Sequence, residues 1–180
     1  MQRVLVVAMS GAGKTTAARQ LARVLDLPFH EMDALAIGPG WSTPPTFVAD
    51  VAAIVGEPAW VFDSWGYPQV RDAMWAAADT VVWLDYPRRV VLARLLRRSL
   101  ARSWRRQRIF GGNVERWRGW MSRDHPFWHA VSTFDSRRAY LAERTTREAH
   151  LRTVRFRGPA EFETWLATIV TRRTGDGLAV

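Results

Sequence analysis

Cysteine is absent from the 180 residues of the chain, which excludes disulfide bonds and zinc sites built from cysteine. Long apolar runs are missing too, because no stretch approaches the roughly 20 residues that a membrane-spanning helix requires. A short apolar run near the start leads directly into a glycine-rich segment, and that arrangement differs from a secretory signal. We therefore expect a cytoplasmic protein that does not enter a membrane.

Lysine is almost absent, although the chain is basic. There are 26 basic residues and a formal net charge of +9, yet Lys14 is the only lysine. A compact ammonium performs tasks that a planar guanidinium performs less well, so a lone lysine in a glycine-rich loop indicates a specific role. The composition also excludes a disordered chain, since 48% of the residues are hydrophobic and ten are Trp. A length of 180 residues is enough for one domain with a sizeable core.

Short apolar segments alternate with amphipathic segments along most of the chain. Apolar runs rich in β-branched residues predict strands, and apolar residues at helical spacing predict helices. The predicted strands are 3–8, 28–31, 60–63, 80–84 and 151–155, and the main predicted helices are 14–25, 47–55, 87–103, 129–148 and 159–171. This alternation predicts an α/β fold with a parallel sheet covered on both faces. We expect one domain over 1–173, with an insertion at about 104–123 and a flexible tail at 174–180.

A phosphate-binding motif lies between the first predicted strand and the first predicted helix. The segment A-M-S-G-A-G-K-T matches G-x-x-x-x-G-K-[ST] except at its first position, where Ala8 replaces glycine. Gly11 and Gly13 allow successive backbone N–H groups to approach a phosphate at the positive end of a helix. Lys14 is predicted to reach the β- and γ-phosphates of ATP, and the Thr15 hydroxyl to ligate Mg²⁺. The predicted cradle consists of Ser10, Gly11, Ala12, Gly13, Lys14, Thr15 and Thr16.

Three carboxylates follow predicted strands, at the end of a parallel sheet where ligands bind. Asp63 closes an apolar run and is predicted to hold Mg²⁺ directly or through water. Asp33 is predicted to orient an acceptor substrate or to take a proton from its attacking hydroxyl. Asp85 is most simply a cap of the next helix. Trp41, Trp65 and Arg71, in or near the loops after the second and third strands, are predicted to border the acceptor with Asp33.

The stretch 88–123 contains twelve Arg and a single acid, Glu115. Arg94 and Arg98 are four residues apart and share a helix face. In one interpretation the stretch is a lid whose guanidinium groups stabilise transferring phosphoryl charge, with Arg137 and Arg138 as contacts on the following helix. In the alternatives it is a nucleic-acid surface in which tryptophans stack on bases, or a solvated face that reflects composition. The phosphate motif favours the lid.

The whole pattern resembles the adenylate-kinase-like P-loop group, in particular small bacterial proteins labelled "DNA topology modulation protein" or "adenylate kinase-like". The resemblance covers almost the entire chain and rests on AMSGAGKTT, MDAL, PGW, WVFDSW, DTVVWLDYPRR and RDHPFW. It implies a P-loop NTPase fold, a three-layer α/β/α sandwich with a five-stranded parallel sheet of order 2-3-1-4-5 and an Arg-rich lid. By this resemblance the phosphate and magnesium roles fall on Gly11, Gly13, Lys14, Thr15 and Asp63, and Arg94 and Arg98 match the paired arginines of nucleoside-monophosphate kinases. After the third strand, however, S-W-G-Y-P replaces the D-G-F-P-R run of adenylate kinases.

The predicted function is ATP- and Mg²⁺-dependent phosphoryl transfer to a small acceptor, most simply a nucleoside monophosphate. The predicted catalytic residues are Lys14, Asp33, Asp63, Arg94, Arg98 and Arg138. One alternative is a kinase of a non-nucleotide metabolite or drug hydroxyl, with Asp33 as the base. The other is a nucleotide-gated nucleic-acid-binding protein that uses the stretch 88–123. The sequence leaves the acceptor and the oligomeric state open.

Overall fold

The computed structural model describes residues 1–105, 108–114 and 126–176 of the chain. Within these ranges the strands are β1 (Arg3–Ala8), β2 (Phe29–His30), β3 (Trp60–Phe62), β4 (Thr80–Leu84), β5 (Arg108–Ile109), β6 (Asn113–Val114) and β7 (Arg152–Phe156). The helices are α1 (Lys14–Leu25), α2 (Met32–Ala36), α3 (Phe47–Val55), α4 (Arg71–Ala77), α5 (Arg88–Arg105), α6 (Pro126–Arg147) and α7 (Pro159–Asp176). Short 3₁₀ turns occupy Pro39–Trp41 and Phe110–Gly112.

Five parallel strands form the central sheet, in the order β2-β3-β1-β4-β7. Because β7 is the fifth of these strands along the chain, the observed order is the expected 2-3-1-4-5. Helices flank the sheet to give the three-layer α/β/α sandwich, so the predicted fold class is confirmed.

The strongly apolar strands β1 and β4 lie in the interior of the sheet. Val4, Leu5, Val6 and Val7 of β1 are fully buried, as continuous apolar runs in parallel sheets are. Helix α1 packs an alanine-rich face on the sheet, with Ala18 and Leu21 fully buried. Small side chains at these positions allow the helix that follows the phosphate motif to lie close to the strands.

The register of the strands determines where the loops of the site meet. Ala8 pairs with Leu84, so β1 and β4 end beside each other, whereas Phe62 pairs with Leu5, so β3 ends earlier and the segment from Asp63 onward runs beside the last residues of β1. Because β1 is flanked by β3 on one side and β4 on the other, the strand order reverses at β1. Ligands of open α/β sheets bind in the crevice at such a reversal, beyond the carboxyl ends of the strands.

Part of the predicted insertion at 104–123 is a hairpin. Strands β5 and β6 pair antiparallel around the turn Phe110–Gly112. The buried Asn113 donates hydrogen bonds from Nδ2 to the Gly38 carbonyl at 3.0 Å and to the Phe110 carbonyl at 2.6 Å. Residues 106–107 and 115–125 lie outside the described part of the chain, so the predicted Arg-rich lid is described only in part.

The start of α6 and the end of α7 differ from the sequence prediction. Helix α6 begins at Pro126 rather than at 129, since proline is tolerated in a first helical turn. Helix α7 continues to Asp176, beyond the predicted end at 171, and of the predicted tail only residues 177–180 lie outside the described ranges. Helix α2 and the turn Pro39–Trp41 were not predicted. None of the described helices combines the length and the apolar character needed to cross a membrane.

Candidate functional site

The phosphate loop connects β1 to α1 through two glycines in the left-handed region. Gly11 has φ 94° and Gly13 has φ 97°, values that residues with a Cβ rarely adopt. At Gly11 a Cβ atom would also lie 2.7 Å from the Val91 carbonyl oxygen and 2.8 Å from Leu95 Cβ. Gly11 is therefore required both by its own backbone and by the close approach of α5.

Ala8, the departure from the motif, occupies a position that does not need glycine. It is the last residue of β1, pairs with Leu84 in the ladder and is buried. Its φ is not positive, because Asp26 and Trp41 are the non-glycine residues with positive φ in the described ranges. The left-handed turn starts only later, at Gly11.

Lys14 is the first residue of α1 and lines two neighbouring cavities. Burial lowers the pKa of Lys14, and the negative charges of Asp33 and Asp63 act against this effect. A desolvated ammonium has lost much of its hydration, and the arrival of phosphate oxygens compensates for that loss.

The first cavity, which we call the donor cavity, has a volume of about 340 Å³. It is lined by Gly11, Gly13, Lys14, Thr15, Thr16, Arg19, Glu31, Arg94 and Arg98. Arg94 is held there by a hydrogen bond from its Nη1 to the Ala12 carbonyl at 3.2 Å. The cavity thus joins phosphate-loop N–H groups, one ammonium and two guanidiniums from α5, a set that fits a polyphosphate.

Thr15 and Asp63 are adjacent, as predicted for a shared magnesium ion. Thr15 Oγ1 donates a hydrogen bond to Asp63 Oδ2 at 2.5 Å, and the Met32 N–H donates to Asp63 Oδ1 at 2.9 Å. Asp63 is 6% exposed. Magnesium in phosphoryl-transfer sites is held by one or two protein oxygens together with phosphates and water. The hydroxyl and the fixed carboxylate fit that requirement, although no group of three or more His, Asp or Glu in the described ranges forms a metal cluster.

The second cavity, which we call the acceptor cavity, has a volume of about 360 Å³. It is lined by Ser10, Lys14, Thr15, Asp33, Asp63, Ser64, Trp65, Gly66, Tyr67, Pro68, Arg71, Arg98 and Arg137. Lys14, Thr15 and Arg98 line both cavities. The two cavities therefore meet at the cationic residues predicted to contact the transferring phosphoryl group.

Two guanidinium groups lie beside the Trp65 ring on the acceptor side. The Arg71 guanidinium carbon is 4.8 Å from the Trp65 ring centroid, and that of Arg137 is 5.4 Å from it. The Tyr140 ring packs edge-on against Trp65 with 5.3 Å between centroids. Burial, together with the positive charge of Arg71, lowers the pKa of Arg137. Two neighbouring guanidiniums form a site for an anion.

Asp33 and Tyr67 are in contact in the acceptor cavity. The Tyr67 hydroxyl donates a hydrogen bond to Asp33 Oδ1 at 3.1 Å. Burial, followed by the Asp33 charge, raises the pKa of Tyr67 well above its ordinary value. The phenol therefore remains protonated and acts as a donor to the carboxylate.

Two predicted site residues lie apart from both cavities. Arg138 forms a bidentate pair with Asp85, with Nε to Oδ1 at 2.7 Å and Nη2 to Oδ2 at 2.9 Å. Arg155 bonds the same carboxylate, so Asp85 joins α6 to β7 rather than capping a helix. Trp41 is 51% exposed in the turn Pro39–Trp41. The catalytic role of Arg138 and the acceptor role of Trp41 stay predictions.

Comparison with known proteins places this geometry in a known fold. No family model matches the chain, and no curated protein matches it in sequence. The chain is similar to a shikimate kinase from Acinetobacter baumannii in complex with shikimate. The match includes 99% of this chain and 96% of the kinase, at 18% identity and a TM-score of 0.57. The chain is also similar to shikimate kinase from Aquifex aeolicus vf5 (15% identity, 99% of each chain, TM-score 0.54) and to a gluconokinase from Sinorhizobium meliloti 1021 (16% identity, 97% and 94%, TM-score 0.53).

The chain has the fold of the P-loop kinases. At these identities the likeness concerns the fold and carries no residue roles. It covers nearly the full length of each neighbour, so the P-loop kinase fold includes the acceptor side and not only the phosphate loop. The specific resemblance to DNA topology modulation proteins stays a prediction.

Sequence reasoning missed Arg19 and Glu31 in the donor cavity and Tyr67 in the acceptor cavity. Glu31 lines the donor cavity and accepts a hydrogen bond from Arg19 Nη2 at 2.6 Å, and burial together with the Asp63 charge raises its pKa. Tyr67 lines the acceptor cavity. The spacing Glu31-x-Asp33 after β2 is a signal that could have revealed Glu31, because both acids follow the same strand end. Tyr67 follows Asp63 in the segment that departs from adenylate kinases.

Proposed function

We propose that the protein is a small-molecule kinase that transfers the γ-phosphoryl group of ATP to a hydroxyl of a small anionic acceptor. The observation that carries the proposal is the junction of two cavities at Lys14, Thr15 and Arg98. One cavity is lined by the phosphate loop, and the other by the carboxylates of Asp33 and Asp63 and by two further guanidiniums. A phosphate loop alone would serve an ATPase equally well, whereas a second, differently charged cavity beside it favours a second substrate.

On the donor side, the loop N–H groups and Lys14 would bind the β- and γ-phosphates, and Arg94 and Arg98 would bind the charge that develops during transfer. Thr15 and Asp63 would hold Mg²⁺, which when bound supplies charge neutralisation at the phosphates. Glu31 lies beside these groups in the donor cavity. It would restrain Arg19 through their ion pair at 2.6 Å.

On the acceptor side, Asp33 would orient the attacking hydroxyl and accept its proton. The acceptor oxygen forms a bond to the γ-phosphorus, the bond from that phosphorus to the β–γ bridging oxygen breaks, and ADP leaves. Arg71 and Arg137 would bind the anionic group of the acceptor and fix the hydroxyl within reach of the phosphorus.

The acceptor we favour is a small hydroxy acid rather than the nucleoside monophosphate first expected. The Trp65 ring already contacts two guanidiniums and Tyr140, so it does not offer an open face for stacking a purine. The fold neighbours are named for shikimate and gluconate, and both are small hydroxy acids.

An acceptor screen tests the proposal. ATP and Mg²⁺ are combined with shikimate, D-gluconate, other small hydroxy acids and the nucleoside monophosphates, and ADP release is followed with the phosphorylated product identified by mass spectrometry. We expect acceptor-dependent ADP release with a hydroxy acid and none with Lys14→Ala. ADP release that is equally fast with and without every acceptor would overturn the proposal, and transfer to a nucleoside monophosphate would restore the first expectation.

A further inference from the structure

One contact in the acceptor cavity joins groups that are distant in the chain and has no part in the chemistry described so far. Asp33 lies in the first turn of α2, is exposed and lines the acceptor cavity. In the described part of the chain, the phenol of Tyr67 donates to this carboxylate at 3.1 Å. An exposed aspartate in a first helical turn has several accessible rotamers, and one hydrogen bond from a fixed donor selects among them.

Tyr67 is itself firmly held. Its ring packs edge-on against the buried Phe47 with 5.6 Å between centroids. Its carbonyl accepts hydrogen bonds from the Val70 N–H at 3.0 Å and from the Arg71 N–H at 2.9 Å. Since Arg71 is the first residue of α4, the backbone of Tyr67 fixes the start of the helix that carries the acceptor guanidinium.

The neighbouring Gly66 strengthens this arrangement. Its carbonyl accepts a hydrogen bond from Arg71 Nε at 3.0 Å. Gly66 has φ 85°, and a Cβ there would lie 2.8 Å from Arg71 Cα. The pair Gly66-Tyr67 thus contacts Arg71 with its backbone and Asp33 with the phenol.

We propose that Tyr67 is a positioning residue for phosphoryl transfer: its hydroxyl orients Asp33 toward the acceptor hydroxyl, while its backbone places Arg71 for the acceptor anion. The inference rests on the proposed function, since Asp33 has a catalytic partner only if an acceptor binds. Tyr67 itself does not exchange a proton with the substrate.

A double-mutant cycle between Tyr67 and Asp33 tests the positioning role. The four proteins are wild type, Tyr67→Phe, Asp33→Asn and the double variant, assayed with ATP, Mg²⁺ and whichever of shikimate, D-gluconate or AMP the wild type phosphorylates fastest. Tyr67→Phe keeps the ring and the backbone contacts and removes only the hydroxyl. We expect roughly a 10- to 100-fold lower kcat in the wild-type background, the range of one hydrogen bond to a charged group, with the KM for ATP unchanged.

The effect of Tyr67→Phe in the Asp33→Asn variant distinguishes a positioning role from general structural support. If Tyr67 acts through Asp33, Tyr67→Phe has little or no further effect on kcat when Asp33 is already Asn. An equal fold-loss in both backgrounds, or an unchanged kcat in Tyr67→Phe, overturns the inference while leaving the proposed function intact. Because the cycle compares backgrounds, a loss of thermal stability in Tyr67→Phe does not obscure the result.

A spectroscopic measurement covers the case in which the wild type phosphorylates none of the three probes, which is a failure of the proposed function. The three tyrosines are labelled with ¹³C at Cζ, and the Tyr67 signal is identified by its loss in Tyr67→Phe. We expect Asp33→Asn to shift that signal and to leave the signals of Tyr86 and Tyr140 in place. No shift at Tyr67 shows that the phenol and Asp33 are not coupled, which overturns the inference independently of turnover.

Discussion

Ala8 stands where the phosphate-binding motif has its first glycine, and its strand conformation explains why the replacement is tolerated. A motif position records what most loops of this kind contain, whereas backbone angles and neighbouring atoms determine what a given loop needs. Gly11 meets both requirements for glycine, a positive φ and no room for a Cβ, and Ala8 meets neither.

A pair of reciprocal substitutions checks this distinction. We expect Ala8→Gly to leave ATP affinity within about twofold and to lower the free energy of unfolding by about 0.5–1 kcal/mol, because glycine loses more backbone entropy in a strand. Gly11→Ala is expected to abolish ATP binding, since its Cβ would press on the Val91 carbonyl and Leu95. Calorimetric titration with ATP and urea denaturation measure both effects, and a large loss of ATP affinity in Ala8→Gly would contradict the reasoning.

Arg71 and Arg137 provide a second prediction at the scale of residues. We expect Arg71→Gln and Arg137→Gln each to raise the acceptor KM roughly 10- to 100-fold, the loss of one charge-assisted hydrogen bond, and to leave the KM for ATP nearly unchanged. Arg147→Gln is the matched control, because Arg147 lies on the same helix as Arg137, is 61% exposed and lines neither cavity. An acceptor KM that rises equally in the control would show that helix α6, and not the guanidinium, is responsible.

Among the elements, the hairpin of β5 and β6 makes a contact that its composition does not suggest. Gly111 packs against the backbone of Gly38 and Pro39, and a Cβ at Gly111 would lie 2.6 Å from the Pro39 nitrogen. The buried Asn113 adds a hydrogen bond to the same Gly38 carbonyl. The hairpin thereby contacts the segment that follows α2, the helix of Asp33.

Gly111→Ala is expected to separate the hairpin from that segment. Hydrogen exchange measured by mass spectrometry should become faster in both 108–114 and 38–42, because the methyl group has no space between the two backbones. Gly112→Ala is a matched control: Gly112 also has a positive φ, 77°, but nothing lies within 4 Å of a Cβ there. Faster exchange in 38–42 in the control as well would mean that backbone strain in the turn, and not the lack of space at Gly111, separates the two segments.

Asp85 joins three further elements, β4, α6 and β7, through Arg138 and Arg155. Burial raises the pKa of Asp85, but the hydrogen bonds and charges of the two arginines outweigh it, so the pKa lies below its ordinary value. A carboxylate with a depressed folded pKa contributes stability that is complete above its unfolded pKa of about 3.9 and is lost as the pH falls through the folded value.

We therefore expect Asp85→Asn to lower the free energy of unfolding by about 1–3 kcal/mol at pH 7, a range reduced from that of a fully buried pair because both arginines are partly exposed. The difference from wild type should persist down to about pH 5 and shrink below pH 4. Urea denaturation at pH 7, 5, 4 and 3 measures it. A difference that stays constant to pH 3 would show that the Asp85 charge does not contribute.

For the whole molecule, binding of the donor should be visible as stability. With ATP and Mg²⁺ at 100 times their dissociation constant, linkage predicts about 2.7 kcal/mol of stabilisation and a rise in Tm of roughly 5–10 °C for a chain of this size. Lys14→Ala should show no rise. An equal rise in this variant would indicate that nucleotide binds somewhere other than the phosphate loop.

Much of the fold could be predicted from the sequence, because β1 and β4 are continuous apolar runs and the phosphate motif lies between a strand and a helix. Strand order came from the family resemblance, and the neighbouring structures confirm that fold. Gly11, Gly13, Lys14, Thr15 and Thr16 of the predicted cradle line the donor cavity, because they are contiguous in the loop and the first turn of α1. Ser10 and Asp63, which directly follows β3, line the acceptor cavity instead.

The acceptor half was less predictable because its parts come from distant segments. Arg71 begins α4 and Arg137 lies within α6, and only packing around Trp65 brings them together. Arg138, the next residue on the same helix, binds Asp85 instead. The spacing of residues in the sequence does not indicate which of these two arginines faces the acceptor cavity. The nucleic-acid alternative stays a prediction, because much of the stretch 88–123 on which it rests lies outside the described residues.

The residues shared by the two cavities bear on how the proposed kinase reaction could be inhibited. Lys14, Thr15 and Arg98 line both cavities. If the proposed reaction is correct, a single molecule with adenosine at one end, a hydroxy acid at the other and a polyphosphate chain between them would bind in both cavities at once. On binding, such a molecule loses the translational freedom of only one ligand but makes the contacts of two, so it should bind more tightly than either substrate. When the linker is varied one phosphate at a time, the length that gives the highest affinity would indicate the distance between the two substrates.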